Sequence, residues 1–97
     1  MYASVRRYST DPRGVGELVD RVEQGFVPIV SKAPGFVAYY VVDAGNGIVA
    51  SISIFESQAG AEQSNRAAAD WVGRSIASLL PTPPEITAGE VRVSKTR

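Results

Sequence analysis

The chain has 97 residues with ten Lys+Arg against ten Asp+Glu, 44% hydrophobic and 21% charged. That is the length of one α+β domain and the balance of a folded, water-facing protein, not of a disordered or nucleic-acid-coating one. It contains no cysteine and no histidine. Disulfides, thiolate nucleophiles, His- or Cys-held haem and hydrolase triads built on histidine are therefore excluded, and no metal site is expected.

The first residues lack the apolar run of a secretory leader, and no segment approaches the ~20 apolar residues of a membrane span. A cytoplasmic protein is the expectation, with no membrane or nucleic-acid partner. Arg6, Arg7, Arg92, Lys95 and Arg97 near the two ends read as solvated strand and tail positions.

Residues 2–9 form a short β-prone run. Asp11-Pro12 then starts a helix, a capping carboxylate followed by a proline whose missing N–H costs nothing at that position. Val15, Leu18, Val19, Val22, Phe26, Ile29 and Val30 recur at helical spacing. Pro28 predicts a kink or break over Gln24–Pro28. Ala33-Pro34-Gly35 ends the segment, and Phe36 to Val42 is branched and aromatic, a strand. Asn46-Gly47 is a hairpin signal, and Ile48 to Phe55 is the returning strand. Ser57 caps a second helix whose apolar face carries Ala61, Asn65, Ala68, Val72, Ile76 and Leu79, with Trp71 at its edge. Pro81-Thr82-Pro83-Pro84 stops it, and residues 85–94 read as a last strand.

The order βαββαβ predicts a ferredoxin-like fold over residues 1–97, with a four-stranded antiparallel sheet and both helices on one face. The other face then needs cover. A two- or four-residue hairpin loop places Tyr40 on the same face as Ser51 and Ser53, and sets Val37, Tyr39 and Val41 with Ala50, Ile52 and Ile54. An odd loop reverses this, so whether Tyr39 or Tyr40 faces the cavity stays open. The second, more apolar set is expected under the helices. The first, with Phe36, Phe55, Tyr2, Ser4, Arg6, Tyr8, Glu90 and Arg92, is expected to line a chamber on the uncovered face.

Pro34-Gly35-Phe36 entering the second strand, Ser53-Ile54-Phe55-Glu56-Ser57 closing the third, and the Ala-rich stretch from Ser64 to Val72 with Trp71 resemble the antibiotic biosynthesis monooxygenase-like family. The resemblance implies two chains packed sheet to sheet as a dimeric α+β barrel, each enclosing a cavity. Among the activities it implies are cofactor-free oxygenation of phenolic polycycles and, in a branch this histidine-free chain departs from, haem degradation.

Candidate catalytic residues are Arg6, Arg92 and Tyr40, for deprotonation and anion stabilisation. Candidate substrate contacts are Tyr8, Phe36, Ser51, Ser53, Phe55 and Glu90. No cofactor is expected, and the partners are a second copy and a small aromatic ligand. The rival reading is a non-catalytic dimeric binding or interaction module. Trp71 reads as helix-to-sheet packing, and Asn65 as an amide bonded to neighbouring backbone.

Overall fold

A computed structural model describes residues 1–97. The chain runs β1 (Tyr2–Ser9), a 3-10 turn (Pro12–Gly14), α1 (Val15–Arg21), a π-helical turn (Val22–Phe26) and α2 (Val27–Val30). It continues through β2 (Phe36–Gly45), β3 (Ile48–Phe55), α3 (Gln58–Ser75), a second 3-10 turn (Ala77–Leu79) and β4 (Glu85–Glu90). The strands form one antiparallel sheet in the order β2-β3-β1-β4. This is the predicted ferredoxin-like architecture.

Local chemistry places each element. The Asp11 carboxylate accepts from the Arg13 N–H at 2.9 Å, and Pro12 follows it into the first turn. Ser57 Oγ accepts from the Gly60 N–H at 3.1 Å and starts α3. The disturbance expected at Gln24–Pro28 is a widening, not a break. Pro28 has no N–H for the Gln24 carbonyl, and the Val27 N–H instead reaches back to Val22 O. The helical path continues to Val30.

Gly25 in that turn sits against Trp71 of α3; a Cβ there would lie 2.8 Å from Trp71 Cζ2. Glycine is therefore what lets the two helical layers close. Beneath them, Leu18, Phe26, Val30, Val49, Phe55, Ala68, Trp71 and Ile76 form the buried core.

The hairpin decides which strand residues face it. Gly45 pairs with Ile48 across the two-residue loop Asn46-Gly47, whose φ values of +56° and +79° suit a primed turn. One residue further along, the register slips. Asp43 pairs with Val49, leaving Ala44 as a bulge, and a second slip frees Val37 between Phe36 and Ala38. The first bulge reverses the expected parity. Tyr39 pairs with Ser53 and Val41 with Ser51, whereas Tyr40 pairs with Ile52.

The inner, helix-covered face therefore holds Tyr39, Val41, Ser51, Ser53, Phe55, Ser4, Arg6 and Tyr8. The uncovered face holds Tyr40, Val42, Ile52, Ile54, Val5 and Arg7. Tyr39 and Val41 lie under the helices and Tyr40 on the uncovered face, as expected, but the assignments on β1 and β3 are overturned: Ser4, Arg6, Tyr8, Ser51 and Ser53 lie under the helices, and Ile52 and Ile54 are left outside. No helix is long and apolar enough to cross a membrane.

Candidate functional site: a buried arginine between two cavities

The centre of the site is Arg6 on β1, only 1% exposed. Its Nε donates to Ser51 Oγ at 3.1 Å, Nη2 to Ser53 Oγ at 2.8 Å and Nη1 to Asn65 Oδ1 at 2.7 Å. Ser51 and Ser53 come from alternate positions of β3 and share a face with Arg6 because β1 pairs Arg6 directly with Ser51. Asn65 reaches down from α3, and Ser4 Oγ also donates to its Oδ1. Both lone pairs of that oxygen are spent. The Asn65 NH2 donates to no atom of the chain, and no buried side-chain polar atom is left unpaired, so this group faces open space. Asn65 thus bonds two side chains of the sheet and not neighbouring backbone, as its position on an apolar helix face had suggested.

All three acceptors of Arg6 are neutral. The ion pairs of the chain, Arg7–Glu85, Arg13–Asp11, Arg21–Glu17 and Arg74–Asp70, lie at the surface. A buried cation without a carboxylate is unusual, because its desolvation is normally offset by an opposite charge. The ring of Phe26, 5.9 Å from Arg6 Cζ, supplies a weak cation–π contact. Of five guanidinium N–H groups three are used by these acceptors, which leaves one on each Nη nitrogen, with the Tyr8 and Tyr39 hydroxyls near enough to interact with the guanidinium.

Two cavities meet at this guanidinium. The inner one, about 30 Å³, lies between the sheet and the helices, with Phe26, Tyr39, Val49 and Trp71 among its walls. Phe26 touches Tyr39 edge-on at 5.6 Å between centroids and Trp71 at 5.7 Å. The outer one, about 190 Å³, is a groove between α3 and β4 bounded by Ala69, Gly73, Pro84 and Ile86. Arg6, Tyr8 and Val72 belong to both, and no Asp or Glu lines either.

Burial pushes the Tyr8 phenol above its usual range, and the Arg6 charge beside it offsets part of the rise. Tyr39 is raised for the same reason, with Ser51 and Arg6 acting against it. Both phenols are therefore neutral at physiological pH.

The candidates separate cleanly. Arg6, Tyr8, Ser51 and Ser53 converge, but inside one chain and not on the uncovered face. Tyr40 lies outside the site, 58% exposed on the opposite face, and Tyr39 occupies the place expected of it. Phe36 and Phe55 share the inner face and stack edge-on at 5.9 Å, without lining either cavity. Glu90 is exposed at the end of β4, and Arg92 is exposed beyond it, where pairing has ceased after Glu90. Phe26, Tyr39, Asn65 and Trp71 are the site residues that the sequence assigned to packing or backbone roles. An amide and an indole on the same helix that faces two strand serines were the available signal.

No protein-family model matches the chain, and no curated protein does. Solved structures do. A monooxygenase encoded by ActVA-Orf6 of Streptomyces coelicolor, in complex with nanaomycin D, superposes with a TM-score of 0.80 at 20% identity, over 99% of this chain and 91% of that one. The chain shares the fold of this and other monooxygenase-type structures. The haem degrader MhuD of Mycobacterium tuberculosis, with two haems in its active site, matches at 0.76 and 16% over 99% and 100% of the two chains. A dimeric ferredoxin-like protein from an uncultured marine organism matches at 0.75 and 11%, over 99% and 97%.

The residues present do not fit haem. Histidine and cysteine are missing from the chain, and the two cavity phenols are held neutral by burial, whereas a tyrosine ligand to haem iron must ionise.

Proposed function

We propose that the protein is a homodimer through its uncovered sheet face, and that each copy binds a phenolic aromatic metabolite as its oxyanion on Arg6. The observation that carries this reading is a fully buried guanidinium with only neutral partners, walled by Phe26, Tyr39 and Trp71. An anionic ligand supplies the missing charge, and the two remaining Nη N–H groups can bond its oxygen. The aromatic walls suit a flat ring, which enters as the Phe26 and Trp71 side chains part, because the closed cavity holds no more than a water or two.

The uncovered face, with Val5, Tyr40, Val42, Ile52 and Ile54, is an apolar surface suited to a second copy, in keeping with the dimeric relative above.

A bound phenolate with a hydrogen-bearing para carbon could react with dioxygen directly. That carbon forms the C–O bond, loss of water from the resulting hydroperoxide leaves a quinone carbonyl, and one phenol plus one O2 gives one quinone plus one water. The chain would hold the oxyanion and exclude solvent. No carboxylate or imidazole lines the cavity to take the phenolic proton, so the ligand would arrive ionised or lose its proton to solvent. That lack of a base favours a second reading, binding without turnover.

The test is titration of 1-naphthol, whose C4 carries the hydrogen para to the oxygen, against the fluorescence of Trp71, the chain's single tryptophan, with dissolved oxygen followed by electrode. Saturable quenching with oxygen uptake supports the oxygenase, and quenching without uptake supports the binding module. An unchanged spectrum at saturating naphthol refutes both.

A further inference from the structure

We infer that the α3–β4 groove is a second subsite, which takes a neutral acyl arm attached next to the phenolic oxygen. This rests on the phenolate reading above and specifies the ligand further. Arg6, Tyr8 and Val72 line both the inner cavity and the groove. A substituent ortho to an oxyanion bound at Arg6 therefore starts at the wall that the two cavities share.

Charge sets the chemistry of that arm. One cation balances one anion, and with no other charged residue lining either cavity a second negative charge would go unpaired. The arm is therefore neutral. The polar group it meets is the Asn65 NH2, a donor without an acceptor in the chain, which suits a carbonyl oxygen. The remaining walls, Ala69, Val72, Gly73, Pro84 and Ile86, suit a short alkyl chain.

Gly73 supplies an independent argument. Glycine costs an α-helix stability relative to alanine. Gly60 in the same helix has a packing reason, since a Cβ there would come within 2.9 Å of the Phe55 ring. At Gly73 an added Cβ would meet nothing within 4 Å. No neighbour demands this glycine, and the space it leaves is the groove.

The test compares 2-naphthol, 1-butanoyl-2-naphthol and 6-butanoyl-2-naphthol on the wild-type chain and on Gly73→Leu, by Trp71 quenching. The two acyl isomers have the same composition, but only the first starts its arm at that shared wall. Leucine improves helix propensity at this position, so the variant folds, which circular dichroism verifies. The expected result is at least tenfold tighter binding of the 1-isomer than the 6-isomer to the wild type. Gly73→Leu should abolish that preference and leave 2-naphthol within twofold of wild type. Equal affinities for the isomers on the wild-type chain, with 2-naphthol bound, overturn the subsite and leave the phenolate site standing. So does a preference that survives Gly73→Leu, or a variant that weakens all three ligands alike, which would make the groove only an entrance. If 2-naphthol fails to bind the wild type, the phenolate site and the subsite fall together.

Discussion

Replacing Arg6 by methionine separates a binding group from a structural strut. The substitution keeps an unbranched apolar stem and removes the guanidinium with its three hydrogen bonds. Bonds of this charged kind contribute roughly 1.5–3 kcal/mol each. Against that stands the desolvation of an uncompensated cation, several kcal/mol in its own right. The acceptors left behind are not stranded, since the Tyr8 and Tyr39 hydroxyls lie beside Ser51, Ser4 stands opposite Ser53, and Asn65 Oδ1 keeps Ser4. The two effects nearly cancel, so urea unfolding of Arg6→Met should give a stability within about 2 kcal/mol of wild type. Binding has no such offset. Two charge-assisted bonds to the phenolate are lost, about 3–6 kcal/mol together, which is roughly a 10²- to 10⁴-fold weaker Kd. Trp71 quenching by 2-naphthol measures this. Arg7→Met, on the outer face, serves as the control and should bind normally. A variant that unfolds at much lower urea yet binds the naphthol unchanged would show that Arg6 braces the sheet and contacts no ligand.

Gly25→Ala would set a methyl 2.8 Å from the Trp71 indole. Overpacking of about 1–3 kcal/mol outweighs the roughly 1 kcal/mol gained in helix propensity, so Tm should fall by several degrees, with a shifted Trp71 emission; an unchanged Tm refutes the contact. Alkali should destabilise the fold. Tyr8 and Tyr39 have raised pKa values when folded, so above about pH 10 the unfolded chain loses their protons first, and stability declines until the folded groups ionise too. Stability measured by urea at increasing pH should show that decline, and the Tyr8→Phe, Tyr39→Phe double variant should flatten it. Ile52→Glu, on the uncovered face opposite Tyr40, should convert a dimer to a folded monomer in sedimentation velocity.

Element order, the Asp11 and Ser57 caps and the Asn46-Gly47 turn were legible in the sequence because each has a local cause. So was the convergence of Arg6, Tyr8, Ser51 and Ser53, which follows from strand alternation alone. Which side of the sheet they occupy was not. Nor was the alignment of β2 with β3, because the Ala44 bulge leaves the loop length intact yet shifts every pair from Ala38 to Asp43, and nothing in Asp43-Ala44-Gly45 marks it. The apolar character of Ile52 and Ile54 pointed the wrong way too, since an apolar outer face reads like a core. Asn65 was misassigned for a related reason: its partners Ser4 and Arg6 come from β1, and that contact leaves no trace in the periodicity of α3. Trp71 packs in the core as expected and also walls the inner cavity.

One strand, β3, carries Ser51 and Ser53 on its inner side and Ile52 and Ile54 on its outer side. On the proposed function, neighbours in sequence therefore answer to different molecules. A residue-by-residue substitution scan along it should alternate in phenotype, odd positions altering occupancy by the small molecule and even positions altering self-association. A scan read without that period of two would average the behaviours into one unremarkable strand.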